Sequence, residues 1–447
     1  MKRFSLNLLA ASVTLGFVAT SAWSQSLSDL YESARTYDAT FLSNKAQFDA
    51  TVALADQAKA NILPTIGFSG TVSRTDFSPT YGIANPSTER YFGNRVYGIN
   101  LSQPLYRPGN VATYNQGLKQ LMLADAQIQA AEQDLMVRLS QAYFDVLASK
   151  DNLTLVRAQK TAVAEQLASA KRNFEVGTST ITDTNEAQAR FDLSRAQEIA
   201  AENDLRVKQL ALNTLVGKPN LQPFNLRSDA KLPTLKDNEM EQWVDASQET
   251  HPTVRTAQMA LDVAILENDK SRAGHKPTLD GTISLSNNTN FAGAITGNST
   301  ADSRFFSGQA GITLNIPLFA GFAIQNRLKQ TLALEEKARV DVENAKRTVA
   351  QATRTAYFGV LSGVSSVSAY EAAEKSSQSA LDSNKLGYQV GVRINIDVLN
   401  AQSQLYQTKK DLATARYNVL IGQLKLRQAN GTLKETDLAP INALLAK

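Results

Sequence analysis

Four stretches of the chain alternate between apolar and small polar residues with a period of two. They lie at 66–74, 95–103, 279–286 and 306–316. Because successive side chains of a β-strand point to opposite faces, each stretch predicts a strand with one apolar and one polar face. About ten such residues suffice to cross an outer membrane, although soluble half-buried sheets use the same alternation. The strands alone leave both interpretations open.

Longer stretches carry apolar residues at spacings of three and four, which predicts amphipathic helices. The stretches 110–172 and 321–386 contain no proline, and each would form a helix of about 95 Å at 1.5 Å per residue. Their apolar seams are narrow and close to a 3.5-residue repeat, which favours side-by-side coiled-coil packing over a thick globular core. Shorter helices are expected at 27–61, 183–216, 239–272 and 397–429.

One short segment occurs twice, as FEVGTSTITDTNEAQ at 174–188 and YQVGVRINIDVLNAQ at 388–402. Each copy predicts a helix end, a Val-Gly turn and an aspartate that opens the next helix, and is therefore the tip of a helical hairpin. The spacing along the chain that separates these two copies also separates AYFDVL at 142–147 from AYFGVL at 356–361. The chain is thus predicted to be duplicated, with a first structural repeat at 25–230 and a second at 231–447.

Polar loops are expected between the strands, at 78–89 and 287–303. The segments 217–238 and 431–447 are expected to be irregular and to join the halves near mid-length.

The first 24 residues have the layout of a secretory signal peptide, with Lys2 and Arg3 before an apolar run and small residues near Ser24. Removing both basic residues lowers the formal net charge from +4 to +2. The remaining charges of both signs are scattered over helices, a pattern without the basic patch of a nucleic-acid binder. The chain contains no cysteine, which excludes disulfides, thiol nucleophiles and cysteine metal sites.

Four strands leave two bare edges, and lipid cannot satisfy the backbone groups along them. Several chains would therefore have to complete one barrel. Eight strands from a dimer would enclose little more than side chains, whereas twelve or more leave a lumen. The small polar faces suit water in that lumen.

The chain resembles the TolC family of outer membrane efflux and secretion channels along nearly all of the sequence after the signal peptide. The resemblance is carried by LPT at 63–65, AYFDVL at 142–147, the stretches 174–183 and 386–399, and ARYN at 415–418. It implies an α+β membrane protein that forms a homotrimeric channel-tunnel. A 12-stranded outer membrane β-barrel, with four strands per chain, would be continued by a long periplasmic α-helical barrel.

The function implied by this resemblance is that of a passive exit duct for tripartite efflux or type I protein secretion. A periplasmic adaptor protein and an inner-membrane transporter of the ABC or RND type would open the duct at its periplasmic tip. No cofactor or metal is implied.

The resemblance also assigns a closed-state latch to four residues, which are Thr182, Asp183, Tyr388 and Arg393. Asp183 and Arg393 can pair across neighbouring tips, and Tyr388 can form a hydrogen bond near Thr182 or Asp183. Simpler roles stay open, since Asp183 also suits a helix cap and Tyr388 also suits packing.

Two further sites follow from the resemblance. A pore constriction falls on Asp397 and Asn400, where Asn400 replaces a second aspartate, so a ring of three carboxylates should favour cations more weakly than six. Asp397 also suits a helix cap. Six exposed residues resemble adaptor-docking tips, although their glycines also suit helix ends: Val176, Gly177, Thr178, Val390, Gly391 and Val392.

Other classes of protein are less well supported. The two histidines, His251 and His275, have no cysteine partners for a metal site, and His251 before Pro252 suits a helix boundary. Catalytic residues are not predicted. A periplasmic coiled-coil adaptor or structural protein would explain the helices but not the strands. A simple diffusion porin, which needs no inner-membrane partner, is the other alternative.

Overall fold

The computed structural model describes residues 24–77, 90–227, 230, 232, 235, 239–291 and 301–446. The predicted signal peptide lies outside the described residues except for Ser24. The predicted loop at 78–89 also lies outside them, as do 292–300 of the second predicted loop and parts of the 217–238 link.

Helices dominate the described part of the chain. They are α1 (Leu27–Tyr37), α2 (Ala39–Ala60), α3 (Pro108–Glu175), α4 (Ile181–Val216), α5 (Met240–Thr250), α6 (Pro252–Ala273), α7 (Ala323–Gln389), α8 (Asn395–Asn430) and α9 (Leu438–Ala443). The strands are β1 (Ser24–Gln25), β2 (Thr65–Phe77), β3 (Arg90–Tyr106), β4 (Gln222–Pro223), β5 (Thr278–Phe291) and β6 (Ser303–Asn315).

The two long helices are confirmed. With 68 residues in α3 and 67 in α7, each is about 100 Å long. The helix α3 pairs with α4, and α7 pairs with α8, as two antiparallel hairpins. Over the ranges that the structure describes, no helix combines the length and apolar character needed to cross a membrane.

Two predicted helices are each divided in two, so predicting them as single helices was wrong. The predicted helix 27–61 breaks at Asp38, whose carboxylate accepts a hydrogen bond from the Phe41 N–H at 2.8 Å and starts α2. The predicted helix 239–272 breaks at His251, because Pro252 lacks the N–H needed to continue α5. The His251 Nδ1 accepts from the Thr253 N–H at 3.1 Å, which confirms His251 as a helix-boundary residue.

The four predicted amphipathic strands are confirmed and form one antiparallel sheet in the order β2-β3-β5-β6. Each strand is longer than predicted, with 13 to 17 residues. Residues 287–291 were predicted to belong to a loop, and this was wrong. They continue β5, because Asn288 and Asn290 pair across to β6.

The pairing register keeps the two faces of the sheet distinct across all four strands. One row joins Phe68, Ile99 and Leu285 on the apolar face. The neighbouring row joins Ser69, Gly98, Ser286 and Ser307 on the polar face, where the hydroxyls of the last two lie 2.8 Å apart. The apolar face is uncovered within one chain, since Phe68 is 73% exposed and Ile312 69%.

The main hydrophobic core lies where the middle of α3 meets α1, α8 and α9. Tyr143 and Phe144 of the AYFDVL motif are fully buried there, and the Tyr143 hydroxyl donates to the Phe224 carbonyl at 3.2 Å. In the second copy Tyr357 is buried but Phe358 is 54% exposed. Three of the four aromatic residues of the repeated motif are therefore packing residues.

The C-terminal segment closes this core. The Arg227 N–H donates to the Leu444 carbonyl at 3.0 Å, and the Ala446 N–H donates to the Asn225 carbonyl at 2.7 Å. The link and the tail thus meet near the middle of the long helices, as predicted. The tail is not wholly irregular, since it contains α9.

Elements of the same type recur in the same order in the two halves. The series α2-β2-β3-α3-α4 is followed by α6-β5-β6-α7-α8. The duplication with a boundary at 230–231 stays a prediction.

We expect Asp38→Asn to lower the free energy of unfolding by about 2 kcal/mol, because hydrogen bonds to a buried charged group are lost. The buried Asp38 carboxylate caps α2 and accepts two bonds from Arg138, at 2.9 and 3.2 Å. The hydrogen bond from Arg138 lowers the pKa of Asp38. This stabilisation is therefore complete above the ordinary carboxyl pKa of about 3.9 and is lost as the pH falls through the lower folded pKa. Thermal unfolding measured by circular dichroism at neutral and acidic pH tests this.

The matched control is Asp49→Asn, which changes an exposed aspartate of the same helix. Equal melting temperatures for the two variants at neutral pH would contradict the role of Asp38.

Candidate functional site at the hairpin tips

The first tip joins α3 to α4 through a turn at Gly177, whose φ of 79° is the left-handed conformation that glycine adopts without strain. The Thr178 N–H donates back to the Asn173 carbonyl at 2.8 Å. Thr180 is the N-cap of α4, and its hydroxyl accepts from the Asp183 N–H at 3.2 Å. The Asp183 carboxylate in turn accepts from the Thr180 N–H at 3.1 Å. The expectation that Asp183 itself opens the helix was wrong, because Thr180 does so and Asp183 completes a capping box.

The second tip has the same turn but a different cap. Gly391 has a φ of 80°, and Ile394 precedes α8 without a side-chain cap. Asp397 is the third residue of α8, not its N-cap, and its carboxylate lies 3.6 Å from the Arg393 guanidinium. Gly387 makes room for this arginine, since a Cβ there would stand 2.7 Å from the Arg393 Cγ.

The predicted latch residues lie together at the two tips, but within one chain they have other partners. The Asp183 carboxylate is held by Ser179 and Thr180. Partial burial raises the pKa of Asp183, but the hydrogen bonds from these two residues outweigh it and lower that pKa overall. The Tyr388 hydroxyl accepts from the Asn173 Nδ2 at 3.2 Å. Thr182 is exposed.

Within one chain, then, Arg393 pairs with Asp397 and not with Asp183. The pairing of Asp183 and Arg393 between neighbouring subunits stays a prediction.

The predicted docking tips are exposed at the ends of both hairpins. Val176, Val390 and Val392 are between 65% and 76% exposed. A Cβ at Gly177 or Gly391 would meet no atom within 4 Å. Any restriction on these glycines within the chain therefore comes from the backbone turn and not from packing.

The two hairpins of one chain are joined by an apolar contact that was not predicted from the sequence. Leu399 of α8 is 1% exposed and packs among four residues of the first hairpin, namely Val163, Leu167, Ala170 and Ala187. It extends the apolar seam of α8 into the other hairpin.

Asn395 forms a second, polar contact between the hairpins. Its side chain is fully buried. The Nδ2 donates to the Asp183 carbonyl at 3.3 Å, and the Oδ1 accepts from the Gln166 amide. In the sequence, Asn395 lies one turn before Leu399, and the helix face that carries it also carries Val398 and Gln402, which are buried in the structure. This position could have indicated that Asn395 is buried. Nothing local identifies its partners.

The predicted constriction residues Asp397 and Asn400 lie on successive turns at the start of α8. Asn400 is exposed, and its Oδ1 accepts from the Arg190 Nη2 of α4 at 2.9 Å. Arg190 was not predicted from the sequence. Within the described ranges, no group of three or more histidine, aspartate or glutamate side chains is placed to hold a metal ion.

A groove with a volume of about 760 Å³ runs from this point between α3, α4 and α8. Aliphatic side chains of α3, α4 and α8 line it together with uncharged amide and hydroxyl side chains, which include Asn152, Gln159, Ser194, Gln197, Gln404 and Gln407.

The chain thus has a two-faced sheet at one end of paired helices about 100 Å long and hairpin tips at the other end. Comparison with known proteins specifies the class. The chain belongs to the outer membrane efflux protein family, whose model matches residues 30–218 and 243–432.

Among its relatives, the outer membrane protein TolC of Vibrio cholerae is 33% identical over 439 residues, with 97% of each chain covered. The alkaline protease secretion protein AprF of Pseudomonas aeruginosa is 29% identical, with 99% of this chain and 92% of AprF covered. The crystal structure of the outer membrane protein VceC from Vibrio cholerae has the same fold, with a TM-score of 0.75 at 18% identity over 91% of this chain and 96% of VceC. The resemblance to the TolC family is thereby confirmed, and the chain is an outer membrane protein.

We expect Asn395→Val to loosen the contact between the two hairpins. The variant leaves the Gln166 amide and the Asp183 carbonyl without partners, and each unsatisfied buried group costs about 1–3 kcal/mol. Since 1.4 kcal/mol is a factor of about ten in an equilibrium constant, amide exchange around 166–190 should become about tenfold faster or more. Hydrogen exchange followed by mass spectrometry measures this.

Asn185→Val is the control, because Asn185 is exposed on α4 in the same tip. Equal exchange rates in the Asn395 variant and the wild-type protein would show that the bonds of Asn395 do not hold the hairpins together.

Proposed function

We propose that three copies of this chain form one outer membrane channel. The observation that carries the proposal is the four-stranded sheet, in which β2 and β6 are edge strands and one face carries most of the large apolar side chains, which are uncovered. A strand of 13 residues is about 43 Å long and, tilted by about 45°, spans about 30 Å of hydrocarbon. Joining the edges of three sheets gives twelve strands, closes the barrel and leaves a lumen.

The polar face of the sheet suits the inside of such a barrel. Asn94 donates to Asn288 and Asn290 at 3.0 and 2.8 Å, and Ser284 donates to Asn100 at 2.8 Å. These side chains are amides and hydroxyls without formal charge, a lining that water solvates and that does not bind one class of solute tightly. On this arrangement the long helices continue the channel as a helical barrel in the periplasm.

The channel serves as a passive exit duct for efflux, type I protein secretion or both. Support comes from the names of the relatives, one a TolC protein and one an alkaline protease secretion protein. A periplasmic adaptor and an inner-membrane ABC or RND-type transporter act at the tips. Val176, Gly177 and Thr178, with Val390, Gly391 and Val392, are the surface that the adaptor contacts.

The tips form the gate of the duct in this proposal. Asp183 and Arg393 of neighbouring subunits pair in the closed trimer, and Tyr388 and Thr182 complete the latch. Arg393 is 59% exposed, and an exposed ion pair contributes only about 0–1 kcal/mol. One such pair per subunit, with the contacts of Tyr388 and Thr182, keeps the tip closed yet lets a partner that binds the open form shift the equilibrium.

The edge strands of neighbouring chains are expected to cross-link in the trimer. Because the chain has no cysteine, Phe68→Cys on β2 and Ile312→Cys on β6 can be combined and joined by a short flexible bismaleimide in native outer membranes. Products of two and three chains should form, with nothing larger, since a closed ring of three has no free edge.

The matched control combines Ile99→Cys on the central strand β3 with Ile312→Cys, which β5 separates within the sheet. Cross-linked species larger than three chains, or extraction of the protein from the membrane by urea, would contradict the trimeric barrel and would favour the periplasmic adaptor.

The double variant Tyr388→Phe with Arg393→Ser is expected to raise single-channel conductance in planar bilayers, because it removes latch contacts at every subunit. Arg172→Ser is the control, since it removes an exposed arginine from the other tip. Conductance equal to that of the wild-type protein in the double variant would refute the latch. A porin without a gate would give the same large conductance for all three proteins.

A further inference from the structure

Asn400 replaces the second aspartate of the predicted constriction. Its hydrogen-bond partner, Arg190, indicates which charge lies at that position instead. The Arg190 Nη2 donates to the Asn400 Oδ1 at 2.9 Å. The contact crosses from the first hairpin to the second, since Arg190 lies on α4 and Asn400 on α8. The position therefore combines a neutral amide with a guanidinium.

The packing around this pair fixes where the guanidinium lies. Leu399, next to Asn400, is buried against Ala187, which lies one turn before Arg190 on α4. Asn395 ties the same end of α8 to the Asp183 carbonyl at 3.3 Å. These contacts hold α4 against α8 on both sides of the pair, and Arg190 therefore lies next to Asn400.

Arg190 has no carboxylate as a direct partner in the part of the chain that the structure describes. Glu186 lies one turn earlier on α4, but no ion pair within 4 Å joins the two, and Asp397 is paired with Arg393 at 3.6 Å. Farther along the same groove, Lys410 and Asp204 carry opposite charges.

The charges near the start of α8 and on the facing turn of α4 are thus two carboxylates, Asp397 and Glu186, and two guanidinium groups, Arg393 and Arg190, a net charge of zero per chain. Residues three apart on a helix have Cβ atoms about 5–6 Å from each other, so these groups lie within about one Debye length at physiological salt. A permeant ion therefore experiences their summed potential and not that of Asp397 alone.

We infer that Arg190 sets the ion selectivity of the constriction by offsetting the Asp397 carboxylate. This inference rests on the proposed function, in which the start of α8 lines the pore. The constriction is a ring of mixed charge with little preference for cations, and it does not exclude anionic solutes.

The test measures the reversal potential of the purified full-length protein in planar bilayers under a KCl gradient. The wild-type protein should give a permeability ratio of K⁺ to Cl⁻ close to unity. Arg190→Gln should raise that ratio by about twofold or more, because one positive charge per chain is removed within a Debye length of the permeant ion. Arg190→Lys should keep the wild-type ratio.

Two further variants make the result specific. Arg195→Gln removes the same charge from an exposed position of the same helix and should leave the ratio unchanged. Asn400→Asp, which leaves Arg190 in place, should raise the ratio and provides the comparison if Arg190→Gln does not fold.

Asp397→Asn separates this inference from the proposal on which it rests. If Asp397→Asn shifts the ratio towards Cl⁻ but Arg190→Gln and Asn400→Asp do not change it, the inference about Arg190 is overturned and the constriction at Asp397 stands. If none of the three variants changes the ratio, the start of α8 does not line the pore and both are overturned.

Discussion

The backbone N–H and C=O groups along the outer edges of β2 and β6 are the constraint on which the rest of this structure depends. Within one chain, the sheet order leaves these two strands at the edges, and the apolar face beside them is exposed. In hydrocarbon such groups must find partners on another strand, because no water is present to bind them. The sheet is therefore incomplete as a single chain, and the proposed closure by two further copies satisfies its edges and its apolar face together.

The stability of the helices is distributed unevenly along their length. Their buried aromatic residues are concentrated near the middle of α3, where Tyr143 and Phe144 pack with Tyr417 of α8 and where α1 contacts α9. Burial raises the pKa of the Tyr417 hydroxyl, which donates to Asp151 at 2.6 Å. At the tips, small apolar clusters, helix caps and single hydrogen bonds take the place of this core. The molecule is thus firmly packed at mid-length and weakly held where the proposed gate lies.

Periodicity was sufficient to predict the strands and the long helices, because the apolar and polar faces of each element appear directly in its own sequence. The Val-Gly turns were predictable for the same reason, since a positive φ at Gly177 and Gly391 is a local requirement. The break at Asp38 was missed because an aspartate can cap a helix or lie within one. The contacts of Asn395 and Arg190 could not be predicted, because they depend on how two hairpins more than 200 residues apart in the chain cross each other.

The mixture of contacts between the hairpins bears on how a gate can open and close again. When polar contacts such as those of Asn395, Arg190 and Tyr388 separate, water can take the place of each partner, so each changes the free energy by only about 1 kcal/mol. Leu399 has no such substitute, and exposing a leucine side chain costs about 1.5–3 kcal/mol. If the proposed gate opens by separating the two hairpins, one buried leucine per chain provides much of the preference for the closed form, and the polar contacts determine the position to which α8 returns. A larger apolar interface would hold the tip closed against any partner, and a wholly polar one would leave it open.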